Sequence, residues 1–221
     1  EMESRDWSSD VCSSDLHHIA AEELEGAILS SVVPPLNAVI TEAVRKVTGL
    51  ACKLVGAGMK TGMNIRMDDP KHIGSDLIVD SVAAKANYQL PIIVIDMGTA
   101  TSITALDKNG DYVGGVIHPG LRVSLNTLSG STAQLPSIDL ESPGRALAKN
   151  TIEAMQSGIL YGTAGMLDGI LTRMEKELGS KATIVATGGL ARFVTPLCQH
   201  PIEIDDLLLL KGLLILYRKN S

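Results

Sequence analysis

Six consecutive residues, Asp96-Met97-Gly98-Thr99-Ala100-Thr101, place a carboxylate, a glycine and two hydroxyls in one short segment. A carboxylate at a strand end can hold a cation, glycine lets a phosphate approach the backbone closely, and Thr99 and Thr101 offer hydroxyls and amides to its oxygens. A tight hairpin in which Asp96 accepts backbone amides is the plainer alternative. Ala186-Thr187-Gly188-Gly189 follows a buried run, and its two glycines let a flat ligand such as an adenine base lie against the backbone at a helix start. The same glycines also serve as an ordinary strand-to-helix corner. Gly74-Ser75-Asp76 comes after Asp68-Asp69-Pro70 and opens a helix. Asp76 there is either a first-turn acid favoured by the helix dipole or a base that accepts a proton from a substrate hydroxyl and orients it. Lys149-Asn150-Thr151 stands at another helix start, where free amides and a hydroxyl either receive an anionic group such as a carboxylate or simply cap the helix. His118, beside Pro119-Gly120, reads as structural, and His17-His18 carries no role.

These segments need an alternating α/β scaffold to position them. Gly26 to Val33 is β-rich and stopped by Pro34-Pro35, after which Leu36, Val39, Ile40, Ala43, Val44 and Val47 recur at helical spacing up to Gly49. A short strand at Cys52 to Val55 leads into the glycine-rich loop 56–70. A helix capped by Ser75 follows, with Ile78, Val82, Ala83 and Ala86 on its inner face. Pro91 to Asp96 is a buried strand. With Thr101 to Leu106, the Asn109-Gly110 turn and Tyr112 to His118, it makes a three-stranded meander. Asn150 and Glu153 start a long helix marked by Ile152, Met155, Ile159, Met166, Ile170 and Met174 and ended near Gly179. Ala182 to Ala186 is a further buried strand, followed by a helix through Leu197 and a last amphipathic helix from about Asp206 to Arg218.

Composition narrows the possible functions. The 221 residues are 45% hydrophobic but only 3% aromatic, so an aliphatic core is available and disorder is excluded for most of the length. A formal charge of -6, with no segment rich in Lys or Arg, argues against a sequence-independent grip on nucleic acid. Cys12, Cys52 and Cys198 are far apart and odd in number, which points to reduced cytoplasmic thiols rather than a disulfide framework or a zinc knuckle. The longest apolar stretch, Leu207 to Tyr217, is interrupted by Lys211-Gly212 and falls short of the roughly 20 residues that span a bilayer. No transmembrane helix and no signal peptide is expected. Residues 1–16, with Asp and Ser around Trp7 and Cys12, follow no period and read as a foreign or disordered leader.

Taken in order, the motifs resemble those of the type III pantothenate kinases, of the acetate kinase, sugar kinase, Hsp70 and actin superfamily. The resemblance is carried by SSVVP at Ser30 to Pro34, KTGMNI at Lys60 to Ile65, GSDLIVDSVAA at Gly74 to Ala84 and DMGTATS at Asp96 to Ser102. It continues through GGVIHPG at Gly114 to Gly120, QLP at Gln134 to Pro136, KNTIEAMQSGILYG at Lys149 to Gly162 and ATGGLA at Ala186 to Ala191. It implies an α/β, actin-like architecture of duplicated ribonuclease-H-like domains, the first incomplete. Residues 17–90 would be the remainder of the first domain and 91–221 the second. It implies transfer of the γ-phosphoryl group of ATP to pantothenate, the first step of coenzyme A biosynthesis, in a cytoplasmic homodimer that uses Mg2+ and a monovalent cation, K+ or NH4+.

By the same resemblance Asp76 is the base, Gly74, Ser75, Asp76 and Leu77 line the pantothenate site, and Thr151 contacts that substrate. Asp96 binds the monovalent cation, and Gly98, Thr99, Gly188 and Gly189 bind ATP. A cation suits phosphate chemistry in a chain without a P-loop lysine. Three departures stand out: Leu77 where the family usually has Arg, Met67 where it usually has an aromatic residue, and no D-x-G-N-T phosphate loop in residues 1–25. The last makes the chain read as truncated and impaired. A non-catalytic dimerising or ligand-sensing relative is the alternative of a different class.

Overall fold

The computed structural model describes residues 21–132 and 134–221. The leader 1–16, Cys12 and His17-His18 therefore lie outside the described residues. The chain divides into two compact units, Glu1–Gly56 and Ala57–Ser221.

The first unit carries a β-α-β arrangement. β1 (Ala27–Leu29) and β2 (Cys52–Leu54) pair in parallel, Ala27 opposite Cys52, across α1 (Pro34–Thr48). The sequence expectation treats Pro34-Pro35 as a strand stop; both prolines in fact open α1, where a fixed φ suits the first turn and the missing N–H is not needed. Gly49 ends the helix in the left-handed conformation at φ 73°, its amide donating to the Arg45 carbonyl.

The second unit is built on a five-stranded sheet of β3 (Ile92–Met97), β4 (Ala100–Leu106), β5 (Tyr112–Pro119), β6 (Thr183–Thr187) and β7 (Glu203–Ile204). The order is β5-β4-β3-β6-β7, with β4 antiparallel to both neighbours and β3, β6 and β7 mutually parallel. The sheet is therefore a meander with two parallel strands added at its other edge. The helices of the unit are α2 (Ser75–Asn87), α3 (Leu121–Gly130), α4 (Thr151–Leu178), α5 (Ala191–Val194) and α6 (Leu208–Lys219).

Strand alternation divides the core between the two faces of the sheet. Ile93, Ile95 and Met97 of β3 join Leu160, Ala164, Leu167 and Leu171 of α4 in one cluster. The other set of β3 positions, Ile92, Val94 and Asp96, faces the side where α2 packs on β3 and β4 and against α6. Gly212 of α6 lets the two helices approach so closely that a Cβ there would overlap the Val79 backbone of α2.

Several expectations are corrected. Gly74, not Ser75, is the N-cap of α2, and Ala86 in its last turn is exposed. The expected helix through Leu197 is split into α5 and a 3-10 turn, Thr195–Leu197, at Pro196, which cannot supply an interior helical N–H. The last helix starts at Leu208, because Asp205 first accepts the Leu207 amide in a turn of its own. Helix α3 and strand β7 were not anticipated. Among the described residues Cys52 and Cys198 are free thiols, and no helix is long and apolar enough to cross a membrane.

Candidate active site at the ends of β3 and β6

The loop 56–70 is held to the sheet before it delivers the chain to α2. The Tyr112 amide donates to the Asn64 carbonyl and the Arg66 amide to the Tyr112 carbonyl, both at 2.8 Å. Asp111, buried, accepts from Asn64 Nδ2 at 3.0 Å and pairs with the Arg66 guanidinium at 2.5 Å. Pinned in this way, the chain turns through Pro70–His72 and enters α2 at Gly74. There the Asp76 Oδ1 accepts the Leu77 amide at 2.9 Å and lies back over Gly74, where a Cβ would collide with it.

Asp80 follows Asp76 by one helical turn, so the two carboxylates share a face of α2. Asp80 is only 2% exposed, and its Oδ1 has no hydrogen-bond partner. Burial, then the charges of Asp96, Asp76 and Asp205, push the Asp80 carboxyl up to about 8. Burial, then the charge of Asp76, pushes Asp96 up to about 6. The like charges of Asp76, Asp80 and Asp96 therefore repel one another, most strongly where Asp80 is buried. Asp205 escapes the upward shift: it accepts from Lys211 at 2.6 Å, Tyr88 at 3.0 Å and the Leu207 amide, and these bonds hold it below the ordinary carboxylate range despite burial. Tyr112, also buried, is pushed up to about 12 by burial and by the charge of Asp76.

Asp96 lies at the carboxyl end of β3, next to the carboxyl end of its parallel neighbour β6, with Asp96 opposite Thr187. Carboxyl ends of parallel strands in an open α/β sheet are where ligands bind. Two glycines shape the place. Gly188, at φ 92°, presses against Met97, where a Cβ would come within 2.7 Å of the Met97 carbonyl oxygen. Gly120 donates its amide to the Thr99 carbonyl at 3.1 Å and leaves no room for a side chain against the Gly98 and Thr99 carbonyls. The first turn of α3 is in this way fastened to the Gly98-Thr99 turn.

A cavity of about 460 Å3 opens here. Gly98, Thr99 and Gly189 line it together, joined by Arg122 and Asn126 of α3, Arg192 of α5 and Phe193. The two glycine turns singled out in the sequence, some 90 residues apart, thus meet at one cavity. Thr151 is not drawn into it: it is exposed at the start of α4, where Asn150 caps the helix through the Glu153 amide at 2.9 Å. Sequence reasoning missed Asp80, Asp205, Tyr112, Arg122 and Arg192. Asp80 was legible as a charge on the otherwise apolar inner stripe of α2, and Arg122 as the residue after Pro119-Gly120-Leu121; the others carry no local signal.

Among the described residues no group of three or more His, Cys, Asp or Glu side chains is arranged to hold a metal by itself. Asp96 supplies a single carboxylate beside the Gly98-Thr99 turn, an oxygen donor of the type that hard cations take.

Comparison with known proteins accords with this geometry. The profile of the type III pantothenate kinase family matches residues 2–173. A type III pantothenate kinase of Moorella thermoacetica is 44% identical over 200 residues, covering 90% of this chain and 79% of the relative. One from an Exiguobacterium species is 41% identical over 207 residues, covering 94% and 81%. Among solved structures, a Campylobacter jejuni protein described as of the Baf family of transcriptional activators shares the fold, with a TM-score of 0.58 at 18% identity over 90% of this chain and 86% of that one. Family profile, relatives and the cavity at β3 and β6 converge: the chain belongs to the type III pantothenate kinases.

Proposed function

We propose that this chain transfers the γ-phosphoryl group of ATP to the hydroxyl of pantothenate, forming 4'-phosphopantothenate and ADP. The observation that carries the reading is the meeting of Gly98, Thr99 and Gly189 at one cavity beside Asp96 in a member of this family. Family membership gives no support to the non-catalytic alternative.

In this reading Gly98 and Thr99 receive the phosphates, and Gly188 and Gly189 receive the adenosine end. Asp76 accepts the hydroxyl proton as the new O–P bond forms and the bond to the ADP oxygen breaks. In a loose transition state such a base chiefly orients its nucleophile. Asp96 holds the monovalent cation, K+ or NH4+, whose charge offsets that of the phosphates; the divalent ion accompanies ATP on its phosphate oxygens. The upward displacement of Asp96 supports this, since a cation relieves the repulsion from Asp76. Gly74, Ser75 and Leu77 line the pantothenate side. Exposure of Thr151 at the start of α4 supports a homodimer with pantothenate near the subunit boundary, where a threonine at a helix start can meet it. Residues 91–221 act as the second ribonuclease-H-like domain, for which the complete sheet within Ile92–Ile204 speaks, and 17–90 belong to the first. The cytoplasm, where ATP is at hand, is the place of action.

The test is a mass-spectrometric assay for 4'-phosphopantothenate with pantothenate, Mg2+-ATP and either K+, NH4+ or Na+. Product formation that depends on K+ or NH4+, and a dependence weakened in Asp96→Asn, is expected. An impaired chain still gives product above the enzyme-free background, so its complete absence under all three salts refutes the reading, and an unchanged cation titration in Asp96→Asn refutes the ion site.

A further inference from the structure

The chain carries no P-loop lysine, and no lysine lines the cavity at the Gly98-Thr99 turn. A triphosphate brings several negative charges, and phosphoryl transfer spreads charge over the equatorial oxygens and the leaving oxygen. Something cationic on the protein is expected to meet it. The cavity holds two such groups, Arg122 and Arg192, from different elements.

Four observations bear on their purpose. No acidic residue lines the cavity, although the chain as a whole carries a net charge of -6, so this wall is locally opposite in sign to the molecule. Neither arginine makes an ion pair or hydrogen bond with another described residue, whereas Arg66 is spent on Asp107 and Asp111. Arg122 is the second residue of α3, and the start of that helix is fastened to the Thr99 carbonyl through the Gly120 amide, so the guanidinium springs from a fixed point beside the turn. Arg192 lies over the Phe193 ring, 5.4 Å from its centroid, and stands three residues after Gly189 in the turn whose Gly188 packs on Met97. A guanidinium left unpaired yet rooted in rigid backbone is suited to bidentate capture of phosphate oxygens.

We propose that Arg122 and Arg192 are the two cations that hold the polyphosphate of the nucleotide in this chain, taking the part that a lysine plays in P-loop enzymes. The assignment rests on the kinase reading above. It predicts recognition of di- and triphosphates, with little contribution from either arginine to binding of the nucleoside alone. The rival anion is the carboxylate of pantothenate.

The test is isothermal titration of the full chain and of Arg122→Gln and Arg192→Gln with Mg2+-ATP, ADP and adenosine, alongside steady-state kinetics; circular dichroism verifies that each variant is folded. Each substitution should weaken ATP and ADP by about tenfold or more, the scale of a charge-assisted hydrogen bond, and leave adenosine within about twofold. The KM for ATP should rise while that for pantothenate holds, and Arg122→Lys should recover part of the loss. Unchanged ATP binding in either variant, an equal loss for adenosine, or a raised KM for pantothenate with ATP unaffected would each overturn the assignment. A parent chain that binds ATP but never phosphorylates pantothenate counts against the kinase reading alone, and the titrations then still decide the arginines. A parent that binds no ATP overturns both.

Discussion

Asp80 offers a quantitative test of the carboxylate cluster. Its carboxyl is displaced from 3.8 to about 8, first by burial and then by Asp96, Asp76 and Asp205. Because the folded state holds this proton more tightly than the unfolded chain, stability contributed by Asp80 is intact below the unfolded value near 4. It is lost progressively as pH rises toward 8, at about 1.4 kcal/mol per unit. At pH 7 the loss spans roughly three units, or about 4 kcal/mol, a large part of the 5–15 kcal/mol typical of a domain. Asp80→Asn keeps the shape of the side chain and removes the ionisation. Urea unfolding of parent and variant from pH 4.5 to 7.5, monitored by circular dichroism, should give nearly equal stabilities at the acid end and a gap widening to several kcal/mol in favour of the variant at the neutral end. Asp96, pushed up to about 6, adds its own slope between about 4 and 6 to both proteins and largely cancels in the difference. Parallel curves over the whole range would refute the account of Asp80 as an acid buried among like charges.

Three further outcomes follow from the geometry. Asp76→Asn should lower turnover by on the order of 10² to 10⁴ while changing pantothenate affinity little; steady-state kinetics with calorimetry checks this, and an unaltered turnover removes Asp76 as the base. Leu77→Arg should tighten pantothenate by about 1–3 kcal/mol if this side of the site faces the substrate carboxylate, and calorimetry showing no gain would place the carboxylate elsewhere. Gly188→Ala should destabilise by roughly 2–4 kcal/mol, combining a left-handed φ of 92° with collision against Met97, whereas Gly189→Ala, which meets nothing within 4 Å, should cost under about 1 kcal/mol. Equal melting temperatures for these two variants would contradict the packing described at the end of β3.

What the amino-acid sequence settled by itself was whatever depends on neighbours along the chain. The span of α4 is legible from Asn150, Glu153 and Gly179, because caps and left-handed glycine stops act within a turn of the helix they bound. The meander is legible from the Asn109-Gly110 turn between alternating apolar runs, and family membership from motifs that stay in order whatever the fold does with them. The tertiary structure alone decided the rest. Strand β7 has two residues and exists only because β6 offers a parallel edge opposite Glu203 and Ile204. Convergence of Arg122 and Arg192 on one cavity, and of Asp80, Asp96 and Asp205 in one poorly hydrated space, joins residues far apart in the chain. Local propensity extends over a few residues, whereas desolvation and charge repulsion act through space, so the electrostatics of this site arise only when α2, β3 and β6 have packed together.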